Sequence, residues 1–319
     1  MKVLITGGAG FIGSHLTDEC LRKGWDVVVV DNLSTGKQKN VNKNAKFYMV
    51  DITDLGTLRD IFKKEKPQIV SHHAAQIDVR KSVSNPQYDA TVNIIGSLNL
   101  LQLSVEYKVK KFIFASSGGT IYGECKNKTA PKETSRMSPE SPYGCAKSSV
   151  ELYLWYYYKV YGLNAISLRY ANVYGPRQDP KGEAGVVAIF IDKMLNNQDV
   201  YIYGDGNQMR DFVYVKDVVD ANIKSMLSKK EFGIFNVATG KSISINKIFN
   251  LLSKFLEYHK PPIYKPSRPG EIFRSCLNIE LIKKELKWKP RFSIVDGLKE
   301  TVLYFKNQFS INGKIQNYK

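Results

Sequence analysis

A tyrosine and a lysine stand four residues apart in the stretch S-P-Y-G-C-A-K-S-S, at Tyr143 and Lys147. On a helix, side chains at this spacing lie on the same face and can contact each other. A free tyrosine has a pKa of about 10, which is too high for a good base at neutral pH. A neighbouring ammonium group favours the phenolate and lowers that pKa, so the pair could remove a proton from a hydroxyl group. The same spacing also fits an ordinary surface pair, and the rest of the chain has to decide between the two.

Glycines with the spacing of a dinucleotide-binding loop occur near the N-terminus, at Gly7, Gly10 and Gly13 in T-G-G-A-G-F-I-G. They follow an apolar run and precede a helical pattern that begins at Phe11. Such glycines permit a tight turn and a close approach to a pyrophosphate, and the helix N-terminus offers free N–H groups to the anion. Asp31 ends the next apolar run, where a carboxylate can accept hydrogen bonds from both ribose hydroxyls and would repel a 2′-phosphate. These residues favour NAD over NADP; a strand–turn–helix without a ligand is the alternative.

Asp51 follows a third apolar run, F-Y-M-V. A side chain at this strand end could reach the amine of an adenine. The alternative is that Asp51 caps a helix that starts near Asp54, since aspartate is a preferred N-cap residue.

The elements that must position these residues alternate along the first half of the chain. Short apolar runs rich in Val, Ile and Phe predict buried strands at 2–6, 26–30, 68–72, 111–115 and 165–169. Helical patterns lie between them at about 11–23, 54–64, 87–107 and 143–161. This alternation predicts an α/β fold with a Rossmann-type parallel sheet and right-handed crossovers. We expect one domain over 1–170, to which segments near 211–238 return, and a smaller interleaved lobe made mainly of 171–319, where turn signals are denser.

Composition limits the class of protein. The chain has 319 residues, of which 43% are hydrophobic and 24% charged, as in an ordinary globular protein. It has no apolar run of about 18 residues that would span a membrane and no signal-peptide pattern, so we expect a cytoplasmic protein that does not bind membranes. The net charge of +17 comes from lysines spread along the chain without a nucleic-acid-binding motif, which favours a solvated surface over a nucleic-acid partner. The four cysteines are far apart and predict reduced thiols and no metal site.

Several motifs together resemble one family. They are T-G-G-A-G-F-I-G-S-H-L, D-N-L-S-T-G, A-S-S-G-G-T-I-Y-G, P-Y-G-C-A-K, L-R-Y-A-N-V-Y-G-P-R, R-D-F-V-Y-V-K-D-V and R-P-G-E, and they run from residue 4 to the last third of the chain. This combination resembles the extended short-chain dehydrogenases/reductases, and most of all the nucleotide-sugar epimerases of the UDP-glucose 4-epimerase type. The resemblance implies tightly bound NAD and the interconversion of UDP-glucose and UDP-galactose, and it implies roles for individual residues.

The resemblance implies that Tyr143 removes the proton from the sugar 4-hydroxyl while a hydride leaves C4, and that the 4-keto sugar turns in the pocket before the hydride returns. Lys147 would support the phenolate and hold the nicotinamide ribose. The cofactor-binding residues that it implies are Gly7, Gly10, Phe11, Ile12, Gly13, Asp31, Asn32, Ser34, Thr35, Gly36, Asp51, Ile52, His73, Ala74, Ala75, Gln76, Asn93, Ser116, Tyr143, Lys147 and Tyr170.

One segment departs from the family pattern. Many members carry a Ser or Thr hydroxyl four residues before the tyrosine that stands at Tyr122, and this chain has Gly118 there. Ser117 and Thr120 are the nearest candidates for the catalytic hydroxyl and both are expected to line the site. Related dehydratases and decarboxylases carry acidic residues in this segment, where this chain has Gly119 and Thr120. The absence of such an acid–base group favours return of the hydride, and hence epimerisation.

The substrate-binding residues implied by the resemblance lie mostly in the second half. Arg210 and Arg268 match cationic positions for the pyrophosphate, where a guanidinium suits phosphate oxygens, and Glu271 matches a carboxylate that binds the uridine ribose. Ser275 replaces a bulky tyrosine of stricter members and would leave room for an N-acetyl group, so UDP-GlcNAc and UDP-GalNAc are expected as further substrates. The full set is Ser117, Tyr143, Asn172, Val186, Val187, Ala188, Tyr201, Ile202, Tyr203, Arg210, Arg268, Glu271 and Ser275.

Two other functions stay open at the level of sequence. One is 4-epimerisation of a different NDP-sugar such as UDP-glucuronate, and the other is a non-catalytic NAD-sensing protein on the same fold. Family members also pair two helices of each subunit into a four-helix bundle, which implies a homodimer; packing of the corresponding helices against the chain's own sheet is the alternative.

Overall fold

The computed structural model describes residues 1–124, 129–181, 185–267 and 272–316, with side chains up to residue 310. Seven strands of this described part form one parallel sheet in the order β10-β6-β5-β4-β1-β2-β3, in which β10 is Phe232–Val237. The first six strands in the chain that join it are β1 (Lys2–Thr6), β2 (Asp26–Asp31), β3 (Lys46–Met49), β4 (Ile69–His72), β5 (Lys111–Ser117) and β6 (Ala165–Tyr170). The predicted α/β fold with a Rossmann-type parallel sheet is therefore confirmed, and the predicted strands agree with the observed ones to within two residues.

Helices cover both faces of this sheet. They are α1 (Phe11–Arg22), α2 (Leu55–Glu65), α3 (Val79–Ser84), α4 (Pro86–Ala90), α5 (Gly96–Glu106), α6 (Gly118–Ile121) and α7 (Pro142–Tyr161). The alternation of side chains along β1 shows how the layers form: Val3 and Ile5 belong to the apolar cluster on one face, and Leu4 belongs to the cluster on the other. Strands buried on both faces need apolar residues at every position, which is why the strand segments are almost continuously hydrophobic.

The helix that was predicted over 87–107 is continuous but not uniform. Pro86 occupies the first turn of α4, and Asn85 caps it by accepting a hydrogen bond from the Tyr88 backbone N–H. A π-helical segment, Thr91–Ile95, then joins α4 to α5. Such π-bulges widen one turn of a helix and occur frequently at functional sites. This bulge places Asn93 on the side of the helix that faces the carboxyl end of the sheet, where its side chain bonds the loop after β4.

The second half of the chain, which the sequence predicts to form a smaller interleaved lobe, has small sheets and helices of its own and also returns to the main sheet. Its elements are β7 (Asn172–Tyr174), α8 (Val186–Leu195), β8 (Tyr201–Tyr203), β9 (Met209–Tyr214), α9 (Val215–Leu227), β10 (Phe232–Val237), β11 (Ser242–Ser244), α10 (Ile245–Leu256), β12 (Ile263–Lys265), α11 (Glu280–Leu286) and α12 (Ile294–Gln316). Strand β10 pairs with β6 at the edge of the main sheet, and α9 packs against α1. Strands β11, β9 and β7 form a second sheet, and β12 and β8 a third. A separate apolar cluster from α8, α10 and α12 holds this lobe together.

None of the helices in the described ranges is long and apolar enough to cross a membrane.

Candidate active site

Tyr143 and Lys147 lie in the first two turns of α7. Ser141 caps this helix by accepting a hydrogen bond of 3.1 Å from the Gly144 backbone N–H, and Pro142 fits the first turn because the N–H that proline lacks has no helical partner there. A side chain at Gly144 would collide with the Thr120 carbonyl oxygen, since its Cβ would lie 2.8 Å away. Glycine at this position therefore lets the start of α7 approach the segment that follows β5, and brings Tyr143 to the carboxyl end of the sheet.

Lys147 is buried, with 4% of its surface exposed, and its ammonium group donates a hydrogen bond of 2.9 Å to the Ala115 carbonyl oxygen. The same Nζ atom lies 5.6 Å from the centre of the Tyr143 ring. Burial lowers the pKa of Lys147 to about 8, and the charges of Asp89 and Glu151 partly oppose that fall. A lysine with such a pKa is close to the point at which it loses its charge.

Burial has the opposite effect on the tyrosine. Removal from water raises the pKa of Tyr143 above its usual value, and the Asp89 carboxylate raises it further. The expectation that the pKa of Tyr143 would be lowered is therefore wrong for the protein groups taken alone, because desolvation of the phenolate is the largest effect. A phenolate here needs favourable charge or hydrogen bonds from a bound ligand in addition to Lys147.

The loop between β1 and α1 has the shape of a phosphate cradle. Gly7 has a φ of +69°, and a Cβ there would lie 2.6 Å from the Ala74 backbone nitrogen. A Cβ at Gly13 would lie 2.2 Å from the Gly7 carbonyl oxygen, so the helix can start against the turn only if this residue is glycine. Gly10 is the N-cap of α1 and no side chain caps the helix, which leaves the N–H groups of the first turn, including those of Phe11 and Ile12, available to an anion.

Asp31 anchors the segment that follows β2. It is buried, and its carboxylate accepts hydrogen bonds from the backbone N–H groups of Ala9, at 2.9 Å, and Leu33, at 2.8 Å. Burial raises the pKa of Asp31, and these two N–H groups partly offset the rise. The turn that carries Ser34, Thr35 and Gly36 folds back on the same carboxylate, since a Cβ at Gly36 would lie 2.8 Å from an Asp31 oxygen.

Asp51 lies beside this turn at the end of β3. Its carboxylate accepts hydrogen bonds from the Asn32 side chain, at 2.6 Å, and from the Thr53 backbone N–H, at 2.9 Å. The alternative reading of Asp51 as a helix cap is wrong, because Asp54 caps α2 by accepting from the Thr57 N–H. The next residue, Ile52, is buried against Gly96.

The residues after β4 form a further wall. Gln76 is locked to Asn93 of the π-bulge by two hydrogen bonds, from the Gln76 N–H to Oδ1 at 3.0 Å and from Nδ2 to the Gln76 carbonyl oxygen at 2.9 Å. The backbone N–H groups of His73 and Ala74 donate to the Thr6 hydroxyl, and Ala75 follows between these anchors. The His73 ring stacks over Tyr170, with ring centres 6.4 Å apart.

The two histidines at the end of β4, the buried His72 and the partly buried His73, are neutral. Burial lowers the pKa of His72 well below its usual value and that of His73 to about 3, and the Lys147 charge acts in the same direction. His72 bonds Thr6 at 2.7 Å and Ser97 at 2.9 Å, so both its ring nitrogens are occupied. Among the side chains that the structure describes, no group of three or more His, Cys, Asp or Glu residues could hold a metal ion.

The end of β5 carries the hydroxyl groups. Ser117 is the last residue of the strand and precedes α6 without capping it, and Thr120 lies within α6. A Cβ at Gly118 would lie 2.4 Å from the Leu277 side chain, which explains the glycine at this position: the hydroxyl that many relatives carry could not be placed here without moving Leu277.

Unsatisfied polar atoms in this region support a bound ligand. The hydroxyls of Ser116 and Thr120 and the Nδ1 atom of His73 are buried without a hydrogen-bond partner. Buried polar atoms in native proteins nearly always have partners, so these atoms fit contacts to a ligand. Together with the glycine cradle and Asp31, they fit NAD.

The expected substrate residues are spread over the smaller lobe. Asn172 begins β7, and its Oδ1 atom lies 3.5 Å from the position of a Cβ on Gly119. Val186, Val187 and Ala188 start α8, and Tyr201, Ile202 and Tyr203 form β8. The Arg210 side chain donates to the Phe273 carbonyl oxygen at 3.2 Å, next to the buried Ser275, whose N–H bonds the Met209 carbonyl oxygen at 3.0 Å. Arg268 and Glu271 lie outside the described residues.

Sequence reasoning missed two residues that shape this site. Leu277 occupies the space in front of Gly118, and Asp89 is a buried carboxylate whose charge acts on both Tyr143 and Lys147. No motif marks Leu277. The position of Asp89 four residues before Asn93 could have revealed it, because residues at this spacing share a helix face.

The class of protein follows from the fold and from a family comparison. The sheet, the glycine cradle and the tyrosine–lysine pair are those expected of a short-chain dehydrogenase/reductase. Residues 3–238 match the model of the NAD dependent epimerase/dehydratase family. This match covers more than half of the chain, and the protein belongs to that family.

Individual relatives narrow the comparison. The chain is 46% identical over 305 residues to a putative UDP-glucose 4-epimerase of Methanocaldococcus jannaschii, covering 96% of this chain and 98% of that protein. It is similar to the crystal structure of a UDP-glucose 4-epimerase from Thermotoga maritima with UDP-glucose, with 50% identity, a TM-score of 0.94, and coverage of 97% of this chain and 100% of that one. A UDP-N-acetylglucosamine 4-epimerase from Methanobrevibacter ruminantium, in complex with UDP-N-acetylmuramic acid, has 40% identity and a TM-score of 0.91, with 96% and 98% of the two chains covered.

Proposed function

We propose that this protein is an NAD-dependent UDP-hexose 4-epimerase that interconverts UDP-glucose and UDP-galactose. The observation that carries the proposal is that Lys147, on the helix that also carries Tyr143, bonds β5 of the sheet that holds the glycine cradle, while the helix after β5 has no acidic side chain. Helix α6 consists of Gly118, Gly119, Thr120 and Ile121. A 4-keto sugar formed here meets no carboxylate from this helix that could direct it towards elimination, so return of the hydride is the favoured outcome.

The protein residues would have separate roles in this reaction. Tyr143 takes the proton of the sugar 4-hydroxyl and later returns it, and Lys147 holds positive charge beside it. Bound NAD supplies reversible hydride acceptance at C4. Ser117, at the open end of β5, orients the 4-hydroxyl, while Asn172 and Arg210 contact the sugar and the diphosphate from the smaller lobe. We assign Arg268 and Glu271 to the diphosphate and the uridine ribose on the family resemblance alone.

The proposed substrate range includes UDP-GlcNAc and UDP-GalNAc. Its support is the small side chain of Ser275, which is buried next to the strand that carries Arg210. A bulky aromatic residue at this position would occupy space that an N-acetyl group needs.

A proton NMR time course tests the function directly. The purified protein is given UDP-galactose and UDP-N-acetylgalactosamine together, without added NAD, and Tyr143→Phe serves as the matched control. We expect both sugars to invert at C4 with the wild type, and a loss of about 100-fold or more with the variant, because a positioned acid–base group contributes about 10²–10⁴-fold. Inversion of UDP-galactose alone would contradict the role of Ser275. If neither sugar changes even after NAD is added, but UDP-glucuronate is converted, the protein is a uronate epimerase instead.

We further propose that the protein is a homodimer. Large apolar side chains on the outer side of α7 are exposed, with Leu152 at 64%, Trp155 at 48% and Tyr156 at 45%. Ile95, in the neighbouring π-bulge, is 50% exposed. A contiguous patch of this kind is a common sign of a protein–protein interface.

A further inference from the structure

A buried carboxylate lies on α4, the helix that packs against the helix of the tyrosine–lysine pair. Asp89 is on α4 and only 1% of its surface is exposed. Its Oδ1 atom accepts two hydrogen bonds, from Gln76 Nε2 at 2.9 Å and from Asn93 Nδ2 at 3.0 Å. Its Oδ2 atom is equally buried and has no partner. The Oδ1 atom is therefore fixed by hydrogen bonds, whereas the Oδ2 atom can interact with a nearby positive charge.

The groups that hold Asp89 have further hydrogen bonds of their own. Asn93 sits in the π-bulge, where its carbonyl oxygen accepts from the Ser97 hydroxyl at 2.5 Å. The Gln76 side chain also donates to the Asp78 carbonyl oxygen at 2.9 Å and accepts from the Asp78 N–H at 2.7 Å. The carboxylate is therefore locked in place, although an unsatisfied buried oxygen costs stability. Arrangements that cost stability in this way tend to occur where function requires them.

Helix α4 packs directly against α7, which carries the reacting pair. The other charged and titratable groups around Lys147 are already neutralised or exposed. Glu151 also raises the pKa of Lys147, but to a smaller extent than Asp89, and it already forms a buried ion pair with Arg169 at 2.6 Å. The pKa of His72 and that of His73 are lowered so far that both are neutral. On α3, Arg80 and Lys81 are exposed, and Arg80 lies 3.6 Å from Asp78. Among the described residues around Lys147, Asp89 is thus a carboxylate without a cationic partner of its own.

We propose that Asp89 is a positioning residue of the active site, whose fixed carboxylate keeps the Lys147 ammonium group charged and thereby sets the pH range in which Tyr143 can act as a base. The kinetic part of this inference rests on the proposed epimerase function. The electrostatic part concerns only the protein's own groups.

The direction of the effect follows from the charges. Burial lowers the pKa of Lys147 to about 8, and Asp89 opposes that fall, so loss of the carboxylate lowers the pKa of Lys147 further. The same carboxylate repels a phenolate, so its loss also lowers the pKa of Tyr143. Both limbs of a bell-shaped pH–rate profile would move to lower pH. A purely structural defect would reduce the rate at every pH and leave the limbs in place.

The first experiment does not depend on catalysis. The NAD-bound protein is labelled with carbon-13 at the lysine ε-carbons and titrated by NMR, with the Lys147 signal assigned by its loss in Lys147→Met. Asp89→Asn keeps the shape of the side chain and an oxygen for Gln76 and Asn93. It should lower the pKa of Lys147 by about one unit, as expected for loss of a neighbouring opposite charge. Asp60→Asn removes an exposed carboxylate on α2 and should change nothing.

An unchanged Lys147 titration in Asp89→Asn overturns the proposal. Retained NAD and an unchanged unfolding temperature show that the variant is folded; if it is not, Asp89→Ser, which removes the charge with a smaller side chain, replaces it in the same titration.

The second experiment measures the pH profile of UDP-galactose epimerisation for the same variants. Asp89→Asn should lose about tenfold in rate one pH unit above the basic limb of the wild type, because a one-unit pKa shift changes the charged fraction about tenfold. A uniform loss with unmoved limbs would also overturn the proposal. If neither the wild type nor any variant converts UDP-galactose, the proposed epimerase function is wrong. The lysine titration still tests the role of Asp89 in that case.

Discussion

At the residue scale, several side chains at the carboxyl end of the sheet have buried polar atoms without protein partners. The hydroxyls of Ser116 and Thr120, Nδ1 of His73 and Oδ2 of Asp89 all belong to this group. In most of a folded protein such atoms are paired, because each unpaired one costs about 1–3 kcal/mol. These atoms lie at the carboxyl ends of β4 and β5 and on the helices packed there. Ligands of open parallel sheets bind at this edge.

Ser117 and Thr120 give the sharpest test of which hydroxyl assists Tyr143. Ser117 ends β5, is partly exposed and does not cap α6, so its hydroxyl remains available to a sugar. Thr120 is inside α6, and its hydroxyl is buried. We expect Ser117→Ala to lower kcat about 100-fold, the effect of losing one acid–base or orienting group. Thr120→Val, which keeps the shape, removes one neutral ligand contact and should lower kcat by less than about tenfold, the effect of losing one neutral hydrogen bond.

The measurement is the epimerisation rate of both variants with UDP-galactose at a saturating concentration. NAD content is the control for folding. The two rates show which hydroxyl assists Tyr143. A large loss in Thr120→Val with a small loss in Ser117→Ala would assign the catalytic hydroxyl to Thr120.

Motif spacing predicted the glycine cradle, Asp31 and the tyrosine–lysine pair because these depend on local sequence. The sequence could not explain why residue 118 is glycine, since Leu277 is distant in sequence and contacts this position only in the folded protein. The direction of the Tyr143 pKa was also out of reach, because it depends on burial by several elements rather than on the lysine four residues away.

At the element scale, the apolar strands were predictable because a strand buried on both faces needs hydrophobic residues at every position. The helix over 87–107 was predicted in extent, but not its π-bulge at Thr91–Ile95, because apolar periodicity cannot distinguish one extra residue in a turn. That bulge presents Asn93 to Gln76 and Asp89 and so connects the helix to the active site.

A cluster at the other end of the sheet ties β1, β3 and α2 together. Glu65, the last residue of α2, is 2% exposed and bonds Lys2 at 3.2 Å, Lys46 at 3.1 Å and the Tyr48 hydroxyl at 2.7 Å. Burial alone would raise the pKa of Glu65, but these three partners lower it from 4.5 to about 2. Because the pKa is lower in the folded protein, the stabilisation is complete above the unfolded value and is lost as the pH falls from 4.5 to about 2.

Glu65→Gln should therefore lower the free energy of unfolding at neutral pH by up to about 3 kcal/mol, the equivalent of the pKa shift. The difference between variant and wild type should shrink as the pH falls from about 5 to about 2, the range in which such linkage acts. Urea denaturation of both proteins at a series of pH values measures this difference in the free energy of unfolding. Glu280→Gln, which breaks an exposed ion pair with Lys283, is the matched control and should cost less than about 1 kcal/mol. A difference that stays constant with pH would contradict the assignment.

At the scale of the whole molecule, the helix α7 presents a conspicuous apolar surface. Tyr153, Val160 and Tyr161 extend the exposed patch defined by Leu152, Trp155 and Tyr156. Lone exposed apolar residues are common on monomers, but a run of them along one helix is not. The patch lies on the outer side of the helix whose first turns carry Tyr143 and Lys147, so an interface there would bury the back of the active-site helix in each subunit.

Substitution of Leu152 by Glu tests this interface. A charge in the centre of the patch should dissociate the dimer, because burying an unpaired carboxylate costs far more than a hydrophobic contact returns. Size-exclusion chromatography with light scattering should give twice the chain mass of 36.2 kDa for the wild type and the single mass for Leu152→Glu. Leu303→Glu is the matched control, because Leu303 is a similarly exposed leucine (61%) on α12, in the other lobe, and should leave the dimer intact. A wild type of single mass, or a Leu152→Glu variant that keeps the double mass, would show that α7 is not the interface, and the apolar patch would then need another partner.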